Sequence, residues 1–252
     1  MKISDMFRFN PENDIYVILA IFMAGIILNG IADTLRASFL FVIVYHGIFA
    51  LGVYLVLPIW YVCRKKMEPL SSIGIIKNHL LKAIGISILF VLISVPGRII
   101  GKGFVIPEFG VLLSTSMALV FASFFEEVFF RGILQTRMEK SFGTIPAIVL
   151  SGLTFSLYHL GYSSYRSVGK LFVLMLVGMF FAFTFQVTQN VITSFIVNFF
   201  HALITFISAK SFFNTRSGIT SLIAAAIGVI LIFLIGKKKR IENLHIDLLK
   251  NT

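Results

Sequence analysis

"SFFEEVFFRGIL" (residues 123–134) decides how this chain is read. Phe124, Phe125, Phe129 and Phe130, with Val128, Ile133 and Leu134, suit a helix in hydrocarbon, yet Glu126, Glu127 and Arg131 stand among them. An ionised side chain at the centre of a membrane helix costs about 2.5–3.5 kcal/mol on insertion scales, so such groups face the bundle interior and mark sites or pathways. Glu127 and Arg131 are four apart and lie one above the other on one helix face. That ion pair accounts for Glu127. Glu126 is turned by about 100° from its neighbour and finds no partner on its own helix, so its partner has to come from another span.

The surroundings define the class of protein. The chain has 252 residues, 58% of them hydrophobic and 13% charged, with a mean hydropathy of +0.95. Soluble domains carry about 25% charged residues, so the composition predicts an all-α, polytopic membrane bundle forming one transmembrane domain over 1–252. Eight spans are expected, at 14–32, 37–62, 80–100, 109–137, 144–162, 168–187, 190–209 and 218–236. The core of the site falls in 110–207, flanked by the spans of 14–100 and by 218–236. The first span is too long for a signal-peptide core, and no small-residue cleavage site follows, so it is expected to be retained.

The net charge of +11 does not point to nucleic acid, because the basic residues cluster beside apolar spans, where they fix orientation. With eight spans, 15 of the 22 lysines and arginines share the side of the N-terminus, including Arg131, Arg137, Lys140 and the run at 237–240. Both termini are therefore expected in the cytoplasm of a multi-pass cell-membrane protein. Cys63, beside Arg64, Lys65 and Lys66, reads as an interfacial thiol; a single cysteine forms no internal disulfide.

Two further spans carry partners for Glu126. "FSLYHLG" places His159 near the end of the fifth span, and the preceding turn falls at Phe142–Gly143. Glu126 lies 16 residues before Phe142 and His159 lies 17 after it. At about 1.5 Å of rise per residue the two reach similar depth in an antiparallel hairpin. In "NFFHALIT", Asn198, His201 and Thr205 share one face of the seventh span. His46 has no such company and reads as structural, while His79 and His245 lie in polar segments.

No Ser-His-Asp pattern, Cys-His pair or HExxH motif is present, which leaves activation of water. Glu126 can take a proton from water and pass it to a leaving amine. His159 can orient that water, and His201, Asn198 or Thr205 can donate to an oxyanion. Zn²⁺ or another divalent metal held by Glu126, His159 and His201 would also activate water. These residues leave the metal-bound and the metal-free glutamate mechanisms both open.

The motifs resemble those of the CPBP family, the CAAX proteases and bacteriocin-processing enzymes also called Abi. "EEVFFRG" at 126–132 is similar to its EExxxR motif, "FSLYH" at 155–159 to FxxxH, and "HALIT" at 201–205 to a later motif that usually ends in Asn, here Thr205. "VTQNVITSF" also resembles the Thr–Asn turn that enters the family's last motif helix. The resemblance covers about residues 110–207. It implies an intramembrane endopeptidase with Glu126 as base, Glu127 paired to Arg131, and a peptide or protein substrate in or at the lipid bilayer. It also implies bacterial peptide maturation, bacteriocin processing or self-immunity. The alternatives are a catalytically silent regulator binding a partner membrane protein on the same scaffold, and a small transporter with a Glu126–His159 proton relay.

Overall fold

The computed structural model describes residues 6–36, 38–76, 80–94, 106–209, 219–232 and 234–235. Every regular element among them is helical. In chain order these are α1 (Asn13–Thr34), α2 (Val42–Lys65), α3 (Leu80–Ser94), α4 (Phe109–Phe142), α5 (Thr144–Tyr158), α6 (Val168–Thr188), α7 (Val191–Ala209) and α8 (Ile219–Ile232). Six are long and apolar enough to cross a membrane: α1, α2, α4, α5 with its following turn, α6 and α7. Helices α3 and α8 are apolar and shorter; the expected spans 80–100 and 218–236 both run on into residues outside those described. The chain is a polytopic helical membrane protein.

The second half of α4 is the hub. Phe125, Glu127, Val128, Phe129, Phe130, Arg131, Ile133 and Leu134 all have zero exposure. A helix that is apolar all round is stable only when surrounded, and α1, α2, α5, α6 and α7 all pack against this part of α4. Large apolar residues on the outer helices, such as Met23, Ile27, Leu89, Phe172 and Phe183, stay exposed, as a surface facing lipid requires. Rings lock the hub: Tyr54 stacks on Phe129 at 4.1 Å and 6°, and Phe130 lies edge-on to Phe155 at 5.5 Å. Just after the two glutamates, from Val128 to Gln135, α4 winds with the wider i→i+5 hydrogen bonds of π geometry, a feature frequent at functional sites.

Two close approaches set the frame around α4. Helices α5 and α6 form an antiparallel hairpin in which Gly152 faces Gly178. A Cβ on Gly152 would stand 2.7 Å from the Met175 carbonyl, and one on Gly178 would stand 3.0 Å from the Gly152 Cα. Missing side chains are what let helix backbones approach this closely in a bilayer. On another side, the turn Leu70–Ile73 tucks between α4 and α7. Its Gly74 carbonyl accepts from Val191 N–H at 3.0 Å, and a Cβ on Gly132 would reach within 2.6 Å of the Ile73 carbonyl.

Arg131 and Arg137 do not mark an early exit of α4 from the bundle. The helix ends at Phe142, past the expected limit of 137, and its turn at Gly143 lies where expected, with a φ of +88°. Arg131 is 0% and Arg137 1% exposed, so both are enclosed by protein. Arg137 grips Glu68 with two parallel bonds of 2.8 Å. Lys140 reaches the same carboxylate at 3.4 Å, and Lys66 pairs with Asp14 at 2.6 Å. Tyr61 donates to Asp14 at 3.1 Å, and Arg137 lies 4.0 Å from it. Burial would raise Glu68, but the hydrogen bonds and charge of Arg137, then Lys140, overcome it and hold this carboxyl down to about 2.

Cys63, expected at the interface, is 1% exposed inside the bundle. His46 is buried, shares a 3.0 Å hydrogen bond with Ser221 of α8 and stacks on Phe121, which fits its structural reading. Lys77, His79, Arg98, Lys102, Lys210, Arg216, the basic run at 237–240, His245 and Lys250 lie outside the described residues.

Candidate active site

Glu126 and Glu127 project from α4 into the bundle, 9% and 0% exposed. Glu127 meets Arg131 at 3.2 Å. Arg131 in turn donates to the Ser151 hydroxyl of α5 at 2.9 Å, and its guanidinium lies 5.2 Å from the centre of the Phe155 ring and 5.8 Å from that of Phe181. The helical spacing therefore reads correctly as an ion pair. Its place is the middle of the protein, with both side chains fully buried. Burying an ion pair is costly unless further hydrogen bonds complete it, and here completion is partial: Glu127 Oε2, Arg131 Nε and Arg131 Nη2 are buried without a hydrogen bond.

Glu126 obtains its partner from α7. The Asn198 amide donates to Glu126 Oε2 at 3.2 Å and to Glu127 Oε1 at 2.9 Å. A primary amide has two N–H bonds, and both are spent on the carboxylate pair. One side chain thus holds two like charges side by side. Asn198, a candidate oxyanion donor from sequence, is engaged as a carboxylate clamp in this arrangement.

His159 begins the turn that follows α5. Its Nδ1 lies 2.8 Å from the Phe155 carbonyl. A carbonyl only accepts, so Nδ1 carries the proton and Nε2 of the neutral ring presents a lone pair. Rings of Phe155 and Tyr158 at 4.8 Å, Tyr165 at 5.3 Å and Tyr162 at 5.8 Å fix the imidazole. His201 lies one turn beyond Asn198, edge-on to Phe181 at 5.4 Å. With Ile93, Leu176, Val177 and Phe180 it lines an open, mostly apolar groove of about 290 Å³ between α3, α6 and α7. Thr205 donates to the His201 carbonyl at 2.7 Å.

Among the described residues no group of three or more His, Cys, Asp or Glu side chains converges closely enough to hold a metal ion. Glu126 is drawn towards Asn198, His159 is tied back to its own helix, and His201 faces the groove. As placed, the three do not offer a ready three-donor site.

Residues 107–207, which span α4 to α7, match the family described as Rce1-like: Type II CAAX prenyl endopeptidase Rce1-like. Over this segment the chain is similar to the CAAX-type intramembrane proteases, which supports the resemblance carried by its motifs. The search of curated proteins returned no match. The match supports CAAX-type membrane protease activity in general terms. Helices α1 to α3 and α8 lie outside the matched segment.

Sequence reasoning missed three contributors. Ser151 of α5 takes Arg131, Ser194 of α7 approaches Glu127, and the Tyr158 phenol stands near Glu126. Only Tyr158 carried a visible signal, as the residue preceding His159.

Proposed function

We propose that this protein is an endopeptidase that hydrolyses peptide bonds in membrane-associated or lipidated peptides, with Glu126 activating the water. The observation that supports it is one carboxylate in excess. Arg131 is committed to Glu127, while Glu126 is buried beside it and accepts from the neutral Asn198 amide. A carboxylate so placed is suited to receive a proton as the water attacks and to return it to the departing amine. Nε2 of His159 accepts the second hydrogen of that water and orients it. His201, at the floor of the apolar groove, is the candidate donor to the oxyanion, with Thr205 behind it. The groove's apolar walls suit a substrate that arrives from the bilayer. The cellular role we assign is bacterial peptide maturation, bacteriocin processing or self-immunity, on a cell membrane with both termini in the cytoplasm.

The test uses purified full-length protein in detergent and internally quenched peptides, some with a prenylated C-terminus and some with an apolar leader. The wild type should cut at least one class. Glu126→Gln should lose about 10²–10⁴-fold in kcat, the usual worth of an acid–base group, with an unchanged melting curve. Cleavage should persist in a strong chelator. Equal cleavage by Glu126→Gln, or none of either class by the wild type, overturns the proposal.

A further inference from the structure

Three helix ends meet at a small polar hollow that the proposed chemistry does not use. Lys82 and Ala83 of α3, Val187 and Thr188 of α6, and Asn190, which leads into α7, line a cavity of about 100 Å³. It lies roughly three helical turns along α7 from His201. Its walls are tied together. Ser87 of α3, 0% exposed, donates to the Ala83 carbonyl at 2.6 Å and approaches the Thr193 carbonyl of α7 at 3.3 Å. The Thr188 and Thr193 hydroxyls lie 2.7 Å apart; with Thr193 as donor, the Thr188 hydrogen is left for the cavity. Asn190 Oδ1 accepts from the Ile192 N–H at 3.0 Å, and Nδ2 makes one contact of 3.5 Å, to the Ile76 carbonyl. A primary amide has two N–H bonds, so one remains to donate.

Lys82 brings a full positive charge, and among the described residues no group holds its ammonium by a hydrogen bond or ion pair. The chain offers little to neutralise it. Residues 69–107 and 140–241, which supply all three helices, contain no Asp or Glu. Glu139, which Gln186 of α6 reaches at 2.8 Å, also accepts from Thr144 at 2.7 Å and is not paired with Lys82. Two of the three helix ends are N-terminal, the polarity that favours an anion. A cation flanked by neutral donors suits an anion with several acceptor oxygens. The surroundings choose among such anions. Leu81 is 86% and Val187 46% exposed, so apolar surface facing lipid adjoins the hollow. A phospholipid meets both features, its acyl chains against the apolar residues and its phosphate at the helix ends; basic pockets between membrane helices take anionic head groups in this way.

We propose that the hollow between α3, α6 and α7 binds the phosphate of an anionic phospholipid, with Lys82 pairing with its charge and the Thr188 hydroxyl and Asn190 amide donating to its oxygens. The site is separate from Glu126 and stands whether or not the protein cleaves peptides. Bound lipid would hold α3 against α6 and α7, the three helices that wall the His201 groove.

The experiment titrates full-length protein in detergent with short-chain phosphatidylglycerol and counts retained lipid by native mass spectrometry. Phosphatidylcholine of the same chains and inorganic phosphate are the parallel arms. The wild type should retain phosphatidylglycerol in preference to both. Lys82→Ala should weaken that retention about tenfold, the worth of a hydrogen bond to a charged group, and Thr188→Val about fivefold. Lys65→Ala is the control, an exposed lysine outside the hollow, and should retain lipid like the wild type. Equal retention by Lys82→Ala overturns the proposal, as does an equal loss in Lys65→Ala or equal retention of phosphatidylcholine. Binding of inorganic phosphate that matches phosphatidylglycerol and is lost in Lys82→Ala also overturns it, by assigning the hollow to a free anion. Should Lys82→Ala fail to fold, Thr188→Val carries the same test, with wild-type retention as the overturning result.

Discussion

Two places in this molecule are built from a pair of acids and a buried arginine, and they solve the charge problem differently. At the loop end of α4, Asp14 and Glu68 meet Arg137, Lys66 and Lys140, so cations outnumber anions. Arg137 and Glu68 are joined by a two-pronged contact of 2.8 Å on each prong. In the middle of the same helix, Glu126 and Glu127 meet only Arg131. There an amide and hydroxyls stand where further cations would be, and three charged atoms of the pair lack hydrogen bonds. The first group leaves neither acid without a cation and acts as a fastener between α4, α1 and the loop after α2. The second keeps one acid uncommitted, which a fastener has no use for and a base requires.

Removing a cation from each place separates the two readings most sharply. Arg131→Met should destabilise the protein by about 3–5 kcal/mol, because it strands a buried charge on Glu127. Thermal unfolding in detergent measures this, and restoring stability with the double change Arg131→Met, Glu127→Leu would show that the loss came from the stranded charge. Asn198→Ala should cost less, about 1.5–3 kcal/mol, the range for hydrogen bonds to charged groups. It should also reduce cleavage, because the two carboxylates lose the amide between them. If Asn198→Ala melts and cleaves like the wild type, the amide is not what holds the pair.

The fastener is best probed with pH. The Glu68 carboxyl is held down to about 2 by Arg137, below the usual value of about 4.3 for an unfolded chain. A group depressed on folding stabilises the folded state above its unfolded pKa, and that contribution fades as pH falls towards the folded value. The melting temperature of the wild type should therefore exceed that of Glu68→Gln at neutral pH. The gap should narrow below about pH 4.5 and close near pH 2. A gap that stays constant with pH would detach Glu68 from the fastener. The smallest effect should come from Lys140→Ala, since its side chain is 43% exposed and a pair of that kind contributes about 0–1 kcal/mol.

Much of this was legible in the chain because helical geometry is local. The four-residue step from Glu127 to Arg131 and the turn at Gly143 both follow from rise and rotation alone. What was not legible depends on which helix lies beside which. Arg131 looked like a boundary charge because a charge near the end of an apolar run usually is one. The ring of helices that encloses it comes from α1, α2, α5, α6 and α7 together. Asn198 looked like an oxyanion donor because its neighbour His201 did, yet one turn of helix separates a residue facing the carboxylates from one facing the groove. Glu68 sits in a loop whose path is set by Gly74 and Gly132, and no periodicity announces that.

The missing side chains at Gly152 and Gly178 have a consequence for the reaction centre. Ser151, the residue that receives Arg131, is the immediate neighbour of Gly152, so the interval between two backbones acts as a gauge for the distance between hydroxyl and guanidinium. A single methyl inserted at Gly152 would work as a shim, wedging the hairpin apart and carrying Ser151 with it. The spacing of the Arg131 site is in this sense inherited from atoms that are not there.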